Sequence, residues 1–271
     1  MTEKISERSD RLKKLTELKK LGINPYPAKT EKNNFINKVL TDFEKLQKDG
    51  AELKLAGRLR SLRAHGNLTF SHLQDESGKI QLAFSKKEIG ADSYKIFSKY
   101  LDIGDFAQIT GTAFLTHNGE PSIMVKSWKL LAKAIRPLPE KWHGLTDEDE
   151  RLRKRYLDIL FNDDIRELFI KRAKFWQAVR NFLIKKDFLE VETPVLENTA
   201  GGADARPFAT HHNALNLDVY LRISMGELWQ KRLMVAGFAK TFEIGRQFRN
   251  EGMDSEHLQD YTQMDFYWAY A

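Results

Sequence analysis

A single arginine in a β-rich, aromatic stretch is the residue of this sequence best suited to chemistry. Residues 242–248 alternate in the manner of an apolar strand, the polar residues 250–252 turn the chain, and residues 264–270 resume an aromatic strand. A guanidinium is planar, permanently charged and able to donate two parallel hydrogen bonds. Held on such a hairpin, Arg249 can neutralise a phosphate that gains charge during displacement. The alternative is a surface hairpin in which Arg249 forms an ion pair with Glu251.

Length and composition indicate two ordinary domains. The chain has 271 residues, of which 41% are hydrophobic, enough for two separate cores. It has no cysteine, which excludes disulfides and thiolate metal sites. We find neither an apolar run of membrane-spanning length nor the apolar core of a secretory signal. We therefore expect a soluble, cytoplasmic protein without a membrane partner.

The positive charge is concentrated in the first part of the chain. The net charge is +6, and residues 1–39 hold 10 Lys or Arg against 5 Asp or Glu. Leucines at three-residue spacing predict a helix with a basic face, which ends at the glycine and prolines of residues 22–27. We assign residues 1–50 to a basic helical arm. Its cationic face suits either plain solvation or a polyanion such as RNA.

Five β-rich segments separated by turn residues follow the arm. They are residues 54–59, 68–73, 80–84, 107–114 and 122–130, with a short helix predicted at 94–100. Five strands with one helix after the third describe an OB-fold, which we assign to residues 51–132. Such folds often bind single-stranded nucleic acid by stacking bases on aromatic side chains. Phe70 is a candidate for such stacking, and the alternative is that it belongs to the barrel core.

The remaining sequence predicts a linker and a second domain. Two prolines and a glycine give residues 133–146 the character of a stiff linker. In the domain assigned to residues 147–271, apolar periodicity predicts a long helix at 164–187 and a strand that ends at Pro194. Two adjacent histidines follow the glycines at 201–202. On a strand they would face opposite ways and no third ligand follows, so we expect no metal site.

These segments resemble known families. Residues 242–252 resemble motif 2 of class II aminoacyl-tRNA synthetases, and the long helix with its strand resembles motif 1, their dimer-forming element. Gly57-Arg58, Thr69-Phe70, Leu73-Gln74-Asp75, Gly78-Lys79-Ile80-Gln81, Gly119-Glu120 and the block at 201–223 resemble lysyl-tRNA synthetases. The resemblance implies an α+β fold: an N-terminal helix, a five-stranded OB-fold β-barrel, and the first part of a class II antiparallel-sheet catalytic domain.

The resemblance also implies site residues. ATP would be bound by Arg249, the catalytic residue at the α-phosphate, by Glu251 and Tyr261 at the adenine, and by His257 at the terminal phosphate. Lysine would be bound by Gly202, Glu227, Arg249, Asp265 and Tyr267. The tRNA anticodon would be bound by Phe70, which stacks on its central base, and by Gln81 and Glu120, which read the edge of that base.

The sequence departs from the family pattern at three places in or beside these site residues. Gly226 and one extra residue replace the usual proline before Glu227. Asp265 stands where glutamate is usual, which sets its carboxylate one methylene further back. Glu256 replaces a residue that is usually basic.

The implied reaction is ATP-dependent activation of lysine and its transfer to tRNA(Lys) by a homodimer, with Mg²⁺ bridging the phosphates. The sequence stops after motif 2, so we expect a fragment that forms no adenylate alone, with the magnesium ligands in a missing C-terminal part. One alternative is a non-catalytic RNA-binding relative that uses the OB-fold and the arm. Another is an aspartyl or asparaginyl synthetase, against which the block at 201–215 argues.

Overall fold

The computed structural model describes residues 2–139, 147–252, 254 and 256–271. The chain divides into two compact units, Met1–Thr146 and Asp147–Ala271. Residues 140–146 of the predicted linker lie outside the described residues.

The first unit opens with three helices, α1 (Thr2–Lys20), α2 (Ile36–Thr41) and α3 (Phe43–Asp49). Part of the basic face of α1 is turned towards the barrel rather than to solvent. Arg11 is buried and donates to the carbonyls of Ile103 and Ala134 at 3.0 and 3.1 Å, and Lys14 pairs with Asp102 at 2.5 Å. These two cations therefore attach the helix to its own domain.

The five predicted strands are confirmed and form a closed barrel in the order β1-β2-β3-β5-β4. They are β1 (Glu52–His65), β2 (Leu68–Gln74), β3 (Lys79–Ser85), β4 (Phe106–Leu115) and β5 (Pro121–Ala132), with α4 (Lys86–Ile89) and α5 (Ala91–Tyr100) between β3 and β4. Strands β3 and β5 run parallel and the other neighbours are antiparallel. Alternate side chains fill the interior, where Leu55, Leu82 and Phe84 are fully buried.

The second unit begins with helices and ends with an antiparallel hairpin. Its helices are α6 (Glu148–Arg153), α7 (Arg155–Phe161) and α8 (Asp163–Ile184), followed by a π-helix (Gly226–Gln230) and α9 (Lys231–Val235). Its strands are β6 (Leu189–Glu190), β7 (Leu196–Glu197), β8 (Ala209–His212), β9 (Leu217–Leu221), β10 (Lys240–Phe248) and β11 (Asp260–Trp268). One sheet has the order β11-β10-β6, and the other β7-β9-β8.

The core of the second unit lies between α8 and one face of the β10–β11 hairpin. Phe242 is fully buried there against Leu183 and Phe188, with Ile244 and Met264 beside them. The predicted long helix is confirmed as α8, whereas the predicted strand is reduced to the two residues of β6 beside β10. Within the described residues, no helix is long and apolar enough to cross a membrane.

Candidate functional site

The β10–β11 hairpin separates an apolar face from a polar one. Its register pairs Thr241 with Tyr267, Glu243 with Asp265, and Gln247 with Tyr261. Because side chains alternate along a strand, these residues share one face, opposite the face that packs on α8. The polar face therefore presents Tyr261, Asp265 and Tyr267 together.

Arg249 lies at the end of this hairpin, in a cleft. Its backbone N–H donates to the carbonyl of Gln259 at 2.8 Å, and its guanidinium lies 5.6 Å from the ring centroid of Tyr261. The Nε atom is buried and has no hydrogen-bond partner among the described residues. The cleft has a volume of about 310 Å³ and is lined by Arg249, Glu251, Gly252, Glu256, His257, Leu258 and Tyr261. The four residues predicted to bind ATP thus meet at one cavity.

Asp254, which the sequence did not single out, orients His257 in this cleft. Its carboxylate accepts from the backbone N–H groups of Glu256 and His257 at 2.7 and 2.8 Å, and lies 2.9 Å from the His257 Nδ1. These backbone and side-chain hydrogen bonds lower the pKa of Asp254. The Asp254 carboxylate therefore occupies the Nδ1 side of the imidazole, so that Nε2 is the ring nitrogen available to a ligand in the cleft.

A second cluster forms around the π-helix, which contains Gly226 and Glu227. A π-helix is a wider turn that inserts one residue into a helix and often occurs at functional sites. Gly202 has φ +89°, and a Cβ atom on it would lie 2.7 Å from the Cβ of Glu227. The Glu227 carboxylate also accepts from Lys231 Nζ at 2.5 Å, which raises the pKa of Lys231. Close packing therefore requires glycine at position 202.

Asp265 and Tyr267 complete this cluster through Gly226. A Cβ on Gly226 would lie 2.9 Å from the Asp265 Oδ2 and 3.2 Å from the Tyr267 ring. Gln263 donates to the Asp265 Oδ1 at 3.0 Å, which fixes the carboxylate. Burial, together with the nearby charge of Glu227, raises the pKa of Tyr267. Of the predicted lysine-binding carboxylates, Glu227 therefore lies in the π-helix and Asp265 lies beside it on β11, where the shorter aspartate faces Gly226.

A buried ion pair lies beside the second cluster, because Glu243 is the β10 partner of Asp265. Arg222 donates to Glu243 at 2.6 Å, to the Thr193 carbonyl at 3.1 Å and to the Arg246 carbonyl at 2.9 Å. Both charged side chains are at most 5% exposed. A Cβ on Gly245 would lie 2.4 Å from the guanidinium, so this strand position also requires glycine. Sequence analysis gave Arg222 no role, because its partner is 21 residues away.

The two clusters are spaced for one extended ligand. Tyr261 of the cleft and Asp265 of the carboxylate cluster lie four residues apart on one face of β11, roughly 13 Å along a strand. A guanidinium and an aromatic ring at one end suit a nucleotide phosphate and base. Two carboxylates at the other end suit an ammonium group. The polar face can thus hold a nucleotide and an amino acid end to end.

The predicted RNA-binding residues lie on the outside of the barrel. Phe70 is partly exposed on β2, whose buried positions alternate with it, so it is not a core residue. Gln81 is buried on β3, two residues from Ala83, which pairs with Phe70 of β2. The Gln81 Nε2 donates to Ser122 Oγ at 3.0 Å. Glu120 is exposed just before β5, and the Ser122 hydroxyl donates to its carbonyl at 3.0 Å. Phe70 and Glu120 are therefore accessible on the outer side of the barrel, whereas Gln81 faces the same side but is buried.

His72 is part of this surface and was missed by sequence analysis. It is the β2 partner of Gln81, and its Nε2 lies 3.5 Å from the Glu120 Oε1. Partial burial and the charge of Lys79 lower its pKa. A lone histidine in a strand carries no sequence signal of its own, and only the strand register shows its neighbours.

The adjacent histidines of β8 have other partners. His211 Nδ1 lies 2.8 Å from Asp218, and the His212 Nδ1 accepts from the backbone N–H of Leu215 at 3.3 Å. Within the described ranges, no group of three or more His, Asp or Glu side chains could hold a metal ion.

Comparison with known proteins matches both units to established families. Residues 147–271 match the family model of class II tRNA synthetases (D, K and N). The second unit belongs to the class II tRNA synthetases. Residues 53–131 match the OB-fold nucleic acid binding domain, which confirms the fold predicted for the barrel. The family predicted from motifs 1 and 2 is confirmed as well.

The whole chain also has similar curated relatives. The lysine–tRNA ligase of Carboxydothermus hydrogenoformans is 50% identical over 261 residues, covering 96% of this chain and 53% of the relative. Those of Moorella thermoacetica and Clostridium tetani are each 48% identical, covering 96% and 97% of this chain and 53% and 52% of the relatives. The chain spans about half the length of the curated relatives it matches.

Proposed function

We propose that this chain is the anticodon-binding and lysine-activating region of a lysine–tRNA ligase. The observation that carries the proposal is that one hairpin face bears both the Arg249 cleft and the carboxylate cluster around Gly226. The amino acid is inferred from the relatives named above, because they are lysine–tRNA ligases. The positively charged Arg249 and the acidic Glu227 and Asp265 suit the opposite ends of a lysyl-adenylate.

Activation requires in-line attack at the ATP α-phosphorus. An oxygen of the lysine carboxylate forms the new P–O bond, and the bond to pyrophosphate breaks. In our proposal Arg249 bridges the carboxylate and the α-phosphate and stabilises the charge that develops on the phosphate oxygens. Its buried Nε, which has no partner among the described residues, is a donor available for this contact. Tyr261 and Glu251 would hold the adenine, and His257 the terminal phosphate.

Recognition of lysine would use the carboxylate cluster. Glu227, Asp265 and the carbonyl of Gly202 would accept hydrogen bonds from the α-ammonium, and Tyr267 would contact the side-chain ammonium. Lys231 already neutralises Glu227, so the substrate ammonium would compete with it. The second half-reaction joins the lysyl group to a ribose hydroxyl at the 3′ end of tRNA, and AMP leaves.

ATP chemistry of this kind uses Mg²⁺, which would neutralise and orient the phosphates. The described residues contain no cluster that fits the ion, so we assign it no ligand here. The chain's own contribution to the phosphates is then Arg249 and His257, with Asp254 holding the imidazole.

Recognition of tRNA(Lys) would use the outer surface of the barrel. Phe70 would stack on the central base of the anticodon, and Gln81 and Glu120 would contact its edge. The partial exposure of Phe70 and its place beside Gln81 support this proposal. Because tRNA and ATP are its substrates, we infer a cytoplasmic location.

We also propose that the protein acts as a homodimer through α8. Leu168, Phe169, Phe175 and Phe182 of this helix are each about half exposed or more. Apolar side chains so exposed on one helix are typical of an interaction surface. The occupant we propose is the same helix of a second copy, in keeping with the resemblance of α8 to motif 1.

ATP–pyrophosphate exchange tests the catalytic part of the proposal. We would measure exchange with lysine and with aspartate, for the 271-residue chain and for the longest reading frame that encodes it. We expect lysine-dependent exchange from the longer product, and a loss of about 10²–10³-fold in Arg249→Lys. Exchange with aspartate instead would contradict the assigned substrate. Binding of an anticodon hairpin without any exchange would favour the RNA-binding alternative.

A further inference from the structure

His72 is held between two different partners on the outer surface of the barrel. The Ser61 hydroxyl lies 2.8 Å from its Nδ1, and the Glu120 carboxylate lies 3.5 Å from its Nε2. The imidazole is one-fifth exposed, whereas the Glu120 side chain is about half exposed. The Ser61 contact therefore fixes one side of the ring, and the other side faces the half-exposed Glu120 carboxylate.

A β-bulge in β1 creates this arrangement. The register pairs Leu59 with Leu73 and then Ser61 with His72, so that Arg60 is the extra residue. Without it, Arg60 rather than Ser61 would lie opposite His72. The Ser71 hydroxyl, which is buried, donates to the Ser61 carbonyl at 2.7 Å and holds the bulge. Bulges often re-aim a side chain next to a functional site, and here the side chain re-aimed is Ser61.

The partners determine where the imidazole carries its proton. A carboxylate only accepts hydrogen bonds, so the proton lies on Nε2 facing Glu120, and the Ser61 hydroxyl donates to Nδ1. The charged groups around the ring are Glu120, Lys79 and Arg63, and partial burial followed by Lys79 lowers the pKa of His72. The lowered pKa favours the neutral imidazole at neutral pH, which matches a single N–H directed at Glu120.

We infer that His72 is a positioning residue, which holds the Glu120 carboxylate against the edge of the central anticodon base and so selects uracil over cytosine there. This inference rests on the proposed function of the barrel surface. A carboxylate at the N3 position accepts from the N3–H of uracil, whereas the N3 of cytosine is itself an acceptor. The donor on this edge of cytosine is its N4 amino group, one position further along. Discrimination therefore requires a carboxylate held in place, and the bonded imidazole supplies the hold.

A hairpin-binding assay with the full chain tests the inference. The probe is a labelled RNA hairpin with the anticodon UUU in its loop, compared with one whose anticodon is UCU. We expect His72→Asn, which retains only the Ser61 contact, to lower the affinity for the first hairpin roughly tenfold and to narrow the preference between the two. His72→Gln, whose amide can reach the Nε2 position, should restore most of both.

A double-mutant cycle separates positioning from a structural effect. If His72 acts through Glu120, then His72→Asn combined with Glu120→Ala should lose no more affinity than Glu120→Ala alone. Full additivity, or an unchanged uracil preference in His72→Asn, would overturn the inference. If His72→Asn does not fold, Ser61→Ala provides the same test because it releases the ring, and wild-type affinity and preference in that variant would overturn it too.

Phe70→Ala distinguishes failure of this inference from failure of the proposed function. Specific binding by the wild type that is lost in Phe70→Ala, with no effect of His72→Asn, removes only the role of His72. Absence of specific binding by the wild type removes both.

Discussion

At the scale of single residues, the carboxylate cluster of the second unit depends on two glycines whose neighbours leave no room for a side chain. Gly202 and Gly226 each have less than 3 Å of space where a Cβ would be, and the neighbours are Glu227 and Asp265. The carboxylate of Asp265 packs directly against the Gly226 backbone, so its shorter side chain and this glycine fit one another. The π-helix brings that backbone to the sheet.

Gly226→Ala should therefore weaken lysine binding selectively. The new methyl group would displace the Asp265 carboxylate and the Tyr267 ring, and we expect a rise of about tenfold in the KM for lysine. The KM for ATP should change little. Both values are measured by exchange kinetics of the product of the longest reading frame that encodes this chain. Val235→Ala is the control, since that side chain is 90% exposed on α9 and belongs to neither cluster, and an equal effect of the two variants would contradict this account.

At the scale of elements, turns and buried pairs fix how neighbouring strands meet. The turn between β2 and β3 is built on Asp75, which accepts from Ser77 N at 2.8 Å, Gly78 N at 3.1 Å and, from the segment before β1, Ile36 N at 3.2 Å. Lys32 Nζ also lies 3.1 Å from this carboxylate. A single carboxylate thus connects the barrel to α2.

The stability of the first unit should depend on the ionisation of Asp75. Burial alone would raise its pKa, but the hydrogen bonds from Ser77 and Lys32 outweigh burial and lower it. A lowered pKa in the folded state means that the contribution is present above the unfolded pKa, near 4, and is lost as the pH falls below it. Asp75→Ala should cost about 1–3 kcal/mol at neutral pH. Thermal unfolding from pH 7 to pH 3 should show a smaller acid loss in Asp75→Ala than in the wild type.

Removing one member of the buried pair of Arg222 and Glu243 should destabilise the second unit more than replacing both members with apolar residues. Arg222→Met leaves an uncompensated carboxylate in the interior, and we expect the free energy of unfolding of the second unit to fall by about 3–5 kcal/mol. Arg222→Met with Glu243→Met removes both charges and should recover much of that loss. Urea unfolding followed by circular dichroism compares the variants. Equal destabilisation by the single and double changes would contradict this explanation.

At the scale of the whole molecule, each unit carries one half of the proposed activity. The barrel unit offers the anticodon surface, and the second unit offers the nucleotide cleft and the carboxylate cluster. In our proposal, a second copy of the chain covers the apolar side chains that are exposed on α8.

Phe182→Glu should disrupt the proposed dimer. The side chain is 61% exposed in one copy, so the change should leave the folded monomer intact while placing a charge in the apolar contact. We expect sedimentation velocity at micromolar concentration to show dimers of the wild type and monomers of the variant. Lys174→Glu, at another exposed position of α8, is the charge control and should remain dimeric. A monomeric wild type would contradict the proposal for this chain.

The sequence by itself determined the elements and the family. Apolar alternation predicted the five barrel strands and the β10–β11 hairpin, and helical periodicity predicted α8, because these patterns are local along the chain. The residues of motif 2 are contiguous, so Arg249 and its cleft neighbours could be named without coordinates. Only the tertiary structure decided which remote residues meet, since cross-strand register and loop closure leave no local pattern. The pairing of Ser61 with His72 depends on one bulged residue, and the contact of Gly226 with Asp265 depends on one π-helical turn.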